Sequence, residues 1–538
     1  KVSDDIFYVS NTTEEIKDSH NKGYLCTKGR FGHRYLLNKK RVVFPQIRRH
    51  GIIDIVDTNE AIKYSEQKIR LLIEKYGKDS IAVLASPKLS NEELYLLQKF
   101  TRIGLKNNNI SSFSNLVYEA KPDNLDSMTG FTSSTVSMDE LNSADVIVVI
   151  NSNLSEENLV MELKIKEAQK RGAKLVLINS SEIMLTKYAD LWIDSRKGTN
   201  TYLIDSLNKV LIEDECVDKN FVKNRSANYN ELTANLVNVD PAKAIEYSGI
   251  DKKIFEAFVS TMKNSSNIIF IYNIDSRKDK AVNDLRSISN FLMLTGKFGK
   301  EKNGLIILRE SSNSTGLIDM GVTPSYLPGF VKYDEQDEVQ NIGNVWKTEL
   351  KDIFKPVDLS SKLKRGEIKG MLIFGEDPLN VKENEKYFNG LEFLLVSDAY
   401  HTDTTDEADV VLPAANHIEQ SGTYTRCDSK VQKSSKLVNG LNSYENWQLI
   451  SQFAGRFADS FKYNSSSEIF KEIKEVNRFY RYSEVDKSWM KEYFNNGFAN
   501  RKLSFSVHSV DFSTFDNTRH TIHYQDNYYF NSVKNKLV

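Results

Sequence analysis

Cys26 stands in the stretch YLCTKGRFG (residues 24–32), preceded by an apolar pair and followed by Lys28, Arg30 and two glycines. The thiolate is the form of cysteine that attacks electrophiles and ligates metals. A buried structural cysteine beside surface cations is the competing reading of the same residues. Cys216 and Cys427 are the only other thiols in 538 residues. An odd, widely spaced set gives no disulfide framework and suits the reducing cytoplasm. His520 and His523 lie three apart in RHTIH, where Thr, Ile and Tyr favour a strand. A strand would send them to opposite faces, so they read as surface histidines rather than ligands. Neither GxGxxG nor GxxxxGK[ST] occurs, and no G-x-S-x-G elbow is present. The phosphate loops and serine-nucleophile turn of those enzyme classes are therefore missing.

The elements that must position such groups are alternating strands and helices. IAVLASP (81–87) is a short apolar run, and SNEELYLLQKFTRIG follows with Ser90 and Glu93 at capping-box spacing. ADVIVVINSN (144–153) and AKLVLINSS (173–181) flank SEENLVMELKIKEAQKRG, which reads as a helix stopped by Gly172. NIIFIYN (267–273), MLIFGEDP (371–378) and EFLLVSDAY (392–400) repeat the plan. Continuous apolar strands separated by helices imply parallel sheets buried on both faces. Ligands in such sheets bind beyond the carboxyl ends of the strands. This points to the loops carrying Asn153, Glu376, Asp398 and Thr402, although the same residue types are ordinary turn formers.

Composition narrows the partners. Lys plus Arg number 72 against 73 Asp plus Glu, so there is no electrostatic footprint for nucleic acid. No apolar run is long enough to span a bilayer as a helix. The length calls for two to four domains. The last sixty residues are rich in aromatics and suit packing on the chain itself or on a partner.

Taken in order, the motifs resemble the molybdopterin oxidoreductase superfamily, which includes formate dehydrogenases and the large iron–sulfur subunit of NADH dehydrogenase. YLCTKGRFGHRYLLNKKRVVFPQIRR resembles its LCxKGRFG segment, and ESSNSTGLIDMGVTPSYLPGF its DMG…LPG loop. FGEDPL resembles GENP, and DAYHTDTTDEADVVLPAANHIEQSGTYTRCDSKVQ the ADVVLP…GT signature, followed by the tryptophan helix ENWQLISQFA. The resemblance implies an α/β fold of interleaved doubly wound parallel sheets. It divides the chain into a remnant of a [4Fe-4S] cluster domain (1–50), a discontinuous α/β domain (51–110 and 300–480), an inserted Rossmann-like domain (111–299) and an aromatic-rich tail (481–538). It makes Cys26 the fourth ligand of a [4Fe-4S] cluster, with the other three upstream of Lys1, and places Lys28 between cluster and pterin. Lys28, Asn153, Gly198, Asn200, Glu376, Asp398 and Thr402 then line a vestigial pterin cleft.

Departures from the pattern carry the functional expectation. Where active formate dehydrogenases present Cys or selenocysteine followed by His, residues 111–131 offer neither; Ser114 or Asp123 would have to serve as ligand. Asn179, Ser180 and Ser181 replace Asp-Pro-Arg, Asn200 replaces the acid expected to pair with guanine, and Arg426 and Lys430 replace Asn and Arg. Some fifty residues remain after about residue 485, too few for the family's C-terminal β-barrel. The expectation is a catalytically silent scaffold and electron-transfer subunit of a multi-subunit NAD(P)-linked, electron-bifurcating complex. It would bear a cluster but no molybdopterin, and dock flavin and iron–sulfur subunits. The alternative is an active molybdenum or tungsten bis-pterin enzyme such as a formate dehydrogenase; a third reading is a nucleotide-binding module.

Overall fold

A computed structural model describes residues 2–3, 6–7, 21, 23–32, 35, 38–117, 125–274, 281–441, 444–482 and 502–508. In chain order its strands are β1 (Val2–Ser3), β2 (Ile6–Phe7), β3 (Gln46–Arg49), β4 (Ile52–Ile55), β5 (Ile81–Ala85), β6 (Ile110–Ser111), β7 (Val146–Ile150) and β8 (Lys174–Ile178). They continue with β9 (Leu191–Ile193), β10 (Ile268–Asn273), β11 (Gly304–Leu308), β12 (Gly370–Phe374), β13 (Phe393–Asp398), β14 (Val410–Pro413), β15 (Gly422–Thr425) and β16 (Val431–Ser434).

Two sheets dominate among the described residues. A seven-stranded sheet runs β4-β3-β14-β13-β12-β5-β6, parallel from β14 to β6 and antiparallel where β3 pairs with β14 and with β4 at its edge. A five-stranded sheet runs β11-β10-β7-β8-β9 and is wholly parallel. Strand β11 belongs to this second sheet although it lies beyond residue 299. Every residue of β5, β7, β11 and β12 is buried, as helices packed on both faces require. Each Ile or Val sealed in such a strand contributes about 1.5–3 kcal/mol relative to exposure.

The helix Asn91–Lys99 is buried along its whole length. Its start is the capping box read from the sequence: Glu93 N–H donates to Ser90 Oγ at 3.3 Å, and Ser90 N–H donates to Glu93 Oε2 at 2.7 Å. Burying its polar side chains demands partners. Asn91 Nδ2 donates to Thr423 and Thr425 Oγ1 on β15, at 3.1 and 3.0 Å, and Lys99 Nζ pairs with Glu472 at 2.6 Å. The stretch read as one helix after β7 is broken at Asn158 into Leu154–Glu157 and Leu159–Lys170, where the Asn158 side chain caps the second piece by accepting from Met161 N–H.

The DMG loop folds back so closely that only glycine fits at position 321. Its φ is +76°, and an added Cβ would stand 2.7 Å from the backbone of Leu327 and Pro328. Gly321→Ala should destabilise the protein by about 1–3 kcal/mol, read as a lower melting temperature with the secondary-structure signal at 20 °C unchanged.

Of the expected C-terminal tail, residues 481–482 and 502–508 are described, the latter as a separate stretch. Residues 502–508 pack on the protein itself, with Leu503 N–H donating to Arg225 O at 2.7 Å and Ser506 N–H to Asn290 Oδ1 at 3.0 Å. His520, His523 and the expected shortfall of a C-terminal barrel fall outside the described residues. Among the described residues no helix is long and apolar enough to cross a membrane.

Candidate functional site

The carboxyl ends of strands from both sheets face a common cavity of about 430 Å³. Ser111 closes β6 and, with Ser112, Ser114 and Asn115, forms one wall; Arg309, Glu310, Ser311 and Ser314 follow β11 and form another. Ser360 and Ser361 come from a third segment, and Pro87 follows β5. The size falls within the range of cofactor and substrate sites. The lining is dense in hydroxyls, with one guanidinium and the carboxylates of Glu310 and Asp358; the hydroxyls and Arg309 are the donors it offers a polar, phosphate-bearing group.

Glu376, just past β12, holds the first wall in place. Its Oε2 accepts Phe113 N–H at 2.8 Å, at the start of the short helix Phe113–Val117. The Phe113 ring anchors the same turn edge-on against Tyr387, with centroids 5.6 Å apart. Burial pushes the Glu376 carboxyl up to about 8, with Glu310 adding to the rise and Lys88 opposing it. The carbonyl-type oxygen accepts the Phe113 N–H in either protonation state.

The other residues singled out by the sequence sit as follows. Asp398 ends β13 and accepts Tyr400 N–H at 2.9 Å, and Thr402 caps the turn Asp403–Asp406. Asp377 ties the loops after β12 and β13 together by accepting from Thr404 N and Oγ1, at 3.0 and 2.8 Å. At the second sheet, Asn153 precedes the helix Leu154–Glu157, and Gly198 makes a turn at φ +81° ahead of the helix Asn200–Glu213. Asn200 is buried and turned inward: its Nδ2 donates to Asn151 Oδ1 and to Asp284 Oδ2, both at 3.1 Å. Asp284, raised to about 6 by burial, also accepts from Tyr272 and Thr201. The Asn200 amide is thus part of a closed internal network.

Cys26 is half-buried, and Gly29 N–H donates to its Sγ at 3.3 Å. Lys28 lies in the following helix, Thr27–Phe31; its side chain is outside the description, as is Asp123. Among the described residues no three His, Cys, Asp or Glu side chains converge as a metal site.

Arg309, Glu310 and Ser360 were not singled out from the sequence. The apolar run GLIIL before RESSNS marks β11 and would have placed the first two at a strand's carboxyl end. Ser360 had no local marker. Its Oγ is buried without a hydrogen-bond partner, an acceptor and donor left for a ligand to satisfy. Together with the hydroxyl lining and Arg309, it makes the cavity fit a pterin cofactor.

Comparison with known proteins bears on the same point. The sequence model of the molybdopterin oxidoreductase family matches residues 41–456. The α subunit of the F420-dependent formate dehydrogenase of Methanocaldococcus jannaschii is 32% identical over 474 residues, covering 86% of this chain and 69% of that protein. The α subunit of the NADPH-Fe(3+) oxidoreductase of Geobacter sulfurreducens is 27% identical over 466 residues, covering 85% of this chain and 54% of that protein. In fold, the chain is similar to acetylene hydratase from Pelobacter acetylenicus, with a TM-score of 0.68 at 18% identity, covering 84% of this chain and 66% of the other.

These findings correct the functional expectation. A catalytically silent, non-enzymatic scaffold without molybdopterin is overturned by relatives that are formate dehydrogenase subunits and by the family match itself. The physical reason is that a missing sulfur ligand and a few altered loop residues were weighed as loss of the whole site, whereas the cavity is assembled by strand ends and hydroxyls that those changes leave standing. With the family model spanning most of the sequence and both parallel sheets in place, the chain belongs to the molybdopterin oxidoreductase family.

Proposed function

We propose that this chain is the catalytic subunit of a molybdenum- or tungsten-pterin oxidoreductase acting on a small carboxylate of the formate class. The observation that carries the reading is the hydroxyl-rich cavity at the carboxyl ends of both parallel sheets, in a chain 32% identical to a formate dehydrogenase α subunit. Ser112, Ser114, Ser311, Ser360 and Arg309 would hold the cofactor. Bound there, it supplies two-electron redox chemistry. Arg309 attracts anionic groups, and Glu376 fixes the wall that carries Ser112 and Ser114.

Ser114, which lines the cavity, is assigned as the protein ligand in place of a sulfur donor. Cys26 is assigned to a [4Fe-4S] cluster, with Lys28 beside it, completed by thiolates outside the described residues. Flavin and iron–sulfur subunits of an NAD(P)-linked complex in the cytoplasm are the partners assigned to receive the electrons; the NADPH-Fe(3+) oxidoreductase relative supports that direction.

Plasma mass spectrometry of the native complex, with pterin extraction from the same sample, should find Fe together with near-stoichiometric Mo or W and pterin. Iron without Mo, W or pterin would overturn the reading. Cys26→Ala should remove a reduced-cluster electron paramagnetic resonance signal while leaving Mo or W content intact. Ser114→Ala should shift the Mo(V) or W(V) spectrum and lower formate-dependent dye reduction by about 100-fold. An unshifted spectrum would move the ligand to Asp123.

A further inference from the structure

Among the described residues no strand pairs with the outer edge of the seven-stranded sheet at β4. β4 is its outermost strand and reads Ile-Ile-Asp-Ile, with Ile52, Ile53 and Ile55 exposed to 67%, 51% and 68%. Natural edges are ordinarily blunted by shortness, charge, Pro, a bulge or a covering element; β4 is four residues long and carries Asp54, yet three of its four side chains are isoleucine and it contains neither Lys nor Pro.

Register fixes which backbone groups are free. Arg48 N–H donates to Asp409 O on the β14 side, and Val56 N–H donates to Pro45 O. With Ile47 opposite Asp54 and Arg49 opposite Ile52, residues 45, 47 and 49 turn their hydrogen bonds toward β4, answered by 56, 54 and 52. The N–H and C=O groups of Ile53 and Ile55 therefore point away from β3. Their side chains share one sheet face with Gln46 and Arg48, while Asp54 lies on the other with Ile47.

We propose that β4 is completed by an extended strand of a partner subunit, hydrogen-bonded to Ile53 and Ile55, apolar opposite those residues and basic opposite Asp54. Strand addition of this kind draws affinity from the backbone and specificity from alternate side chains. A second copy of this chain paired about Asp54 or Ile53 fits less well. A two-fold axis at Asp54 sets that carboxylate opposite its own copy, a destabilising pair. An axis at Ile53 runs the edge into His50 and Gly51, whose φ values of +51° and +81° leave the strand, so only the Ile53 pair can bond. A foreign strand keeps both bonding residues and can supply a cation to Asp54, whose only described ion pair is with Arg49 at 3.4 Å. The relatives named above as α subunits belong to assemblies with other chains, which gives such a strand a source. This inference stands independently of the metal and substrate assigned above.

Amide hydrogen exchange at residue resolution tests it, comparing the native complex, isolated through a tag on this chain, with the same chain expressed alone. The expected result is that Ile53 and Ile55 exchange roughly 100-fold more slowly in the complex, while Asp54, bonded to β3, is slow in both. Ile53→Pro removes an outward-facing donor that β3 does not use, on an edge where proline is tolerated, and should weaken retention of the partner subunit roughly 10-fold. Equal exchange in complex and isolated chain overturns the proposal. So does protection already present in the chain alone, whether as a monomer whose own residues cover the edge or as a dimer paired through it.

Discussion

Arg102→Met should lower the stability of the unit built on the seven-stranded sheet by about 3–5 kcal/mol, seen as a large drop in its urea midpoint. Arg102 is fully buried and spends its guanidinium on five acceptors. It donates to the backbone oxygens of Gly321, Thr323 and Tyr326 at 2.9, 2.8 and 2.8 Å, to Asn108 Oδ1 at 3.0 Å and to Gln98 at 2.5 Å. Methionine fills much of the volume but leaves those oxygens without donors, and each buried orphan costs about 1–3 kcal/mol. Burial pushes the guanidinium down to about 9, which keeps it charged at neutral pH. The same residue pins the 321–326 loop beside the cavity wall at Thr323, so the variant should also lose cofactor before it unfolds. Arg102→Lys, with one cationic head for five acceptors, should recover only part of the loss.

The second large effect is a fall in stability from about pH 5 to pH 8. Asp319 and Glu92 are buried, and burial raises both carboxyls to about 7. They belong to one polar chain: Asp319 accepts from Ser133 and from Tyr480 at 3.3 and 3.0 Å, Tyr480 meets Thr425, and Thr423 donates to Glu92 at 2.8 and 2.9 Å. In the unfolded chain these acids titrate near 4. A folded pKa raised above the unfolded one means that the folded state binds more protons in between. The associated stability is full below about pH 4 and is lost as pH rises through 7. The two groups together should remove on the order of a few kcal/mol by pH 8. Asp319→Asn cannot ionise, and thermal melts across pH 5–8.5 should show a clearly shallower slope than wild type. An unchanged slope would mean that Asp319 is already ionised in the folded protein at pH 5.

Replacing Asn200 by aspartate illustrates why residue type at a motif position is weak ground for function. From the sequence, Asn200 reads as a weakened partner for guanine. In the structure its amide bridges Asn151 and Asp284, so an acid there would face the Asp284 carboxylate at about the same 3.1 Å. The amide is selected by its interior neighbours, and those neighbours lie on β7's loop and a helix 84 residues further along the chain. The same holds for the sulfur-free segment 111–117, whose position is set by Glu376 from a strand 263 residues away.

Much of the architecture was legible in the sequence because it is written locally. The apolar runs at 81–85, 146–150, 174–178, 268–273, 370–374 and 393–398 are strands, and Ser90 with Glu93 starts a helix, since burial periodicity and capping act over a few residues. The family, and with it the two-sheet plan, followed from motifs each carried by a short contiguous stretch. Only the tertiary structure decided what those stretches do to one another. It brought residues 111–115, 309–314 and 360–361 around one cavity, closed Asn200 into an internal network, and left the isoleucines of β4 uncovered among the described residues. Those outcomes depend on which strand ends converge and which edge lacks a neighbour, and contacts between residues hundreds of positions apart leave no periodicity in the sequence that joins them.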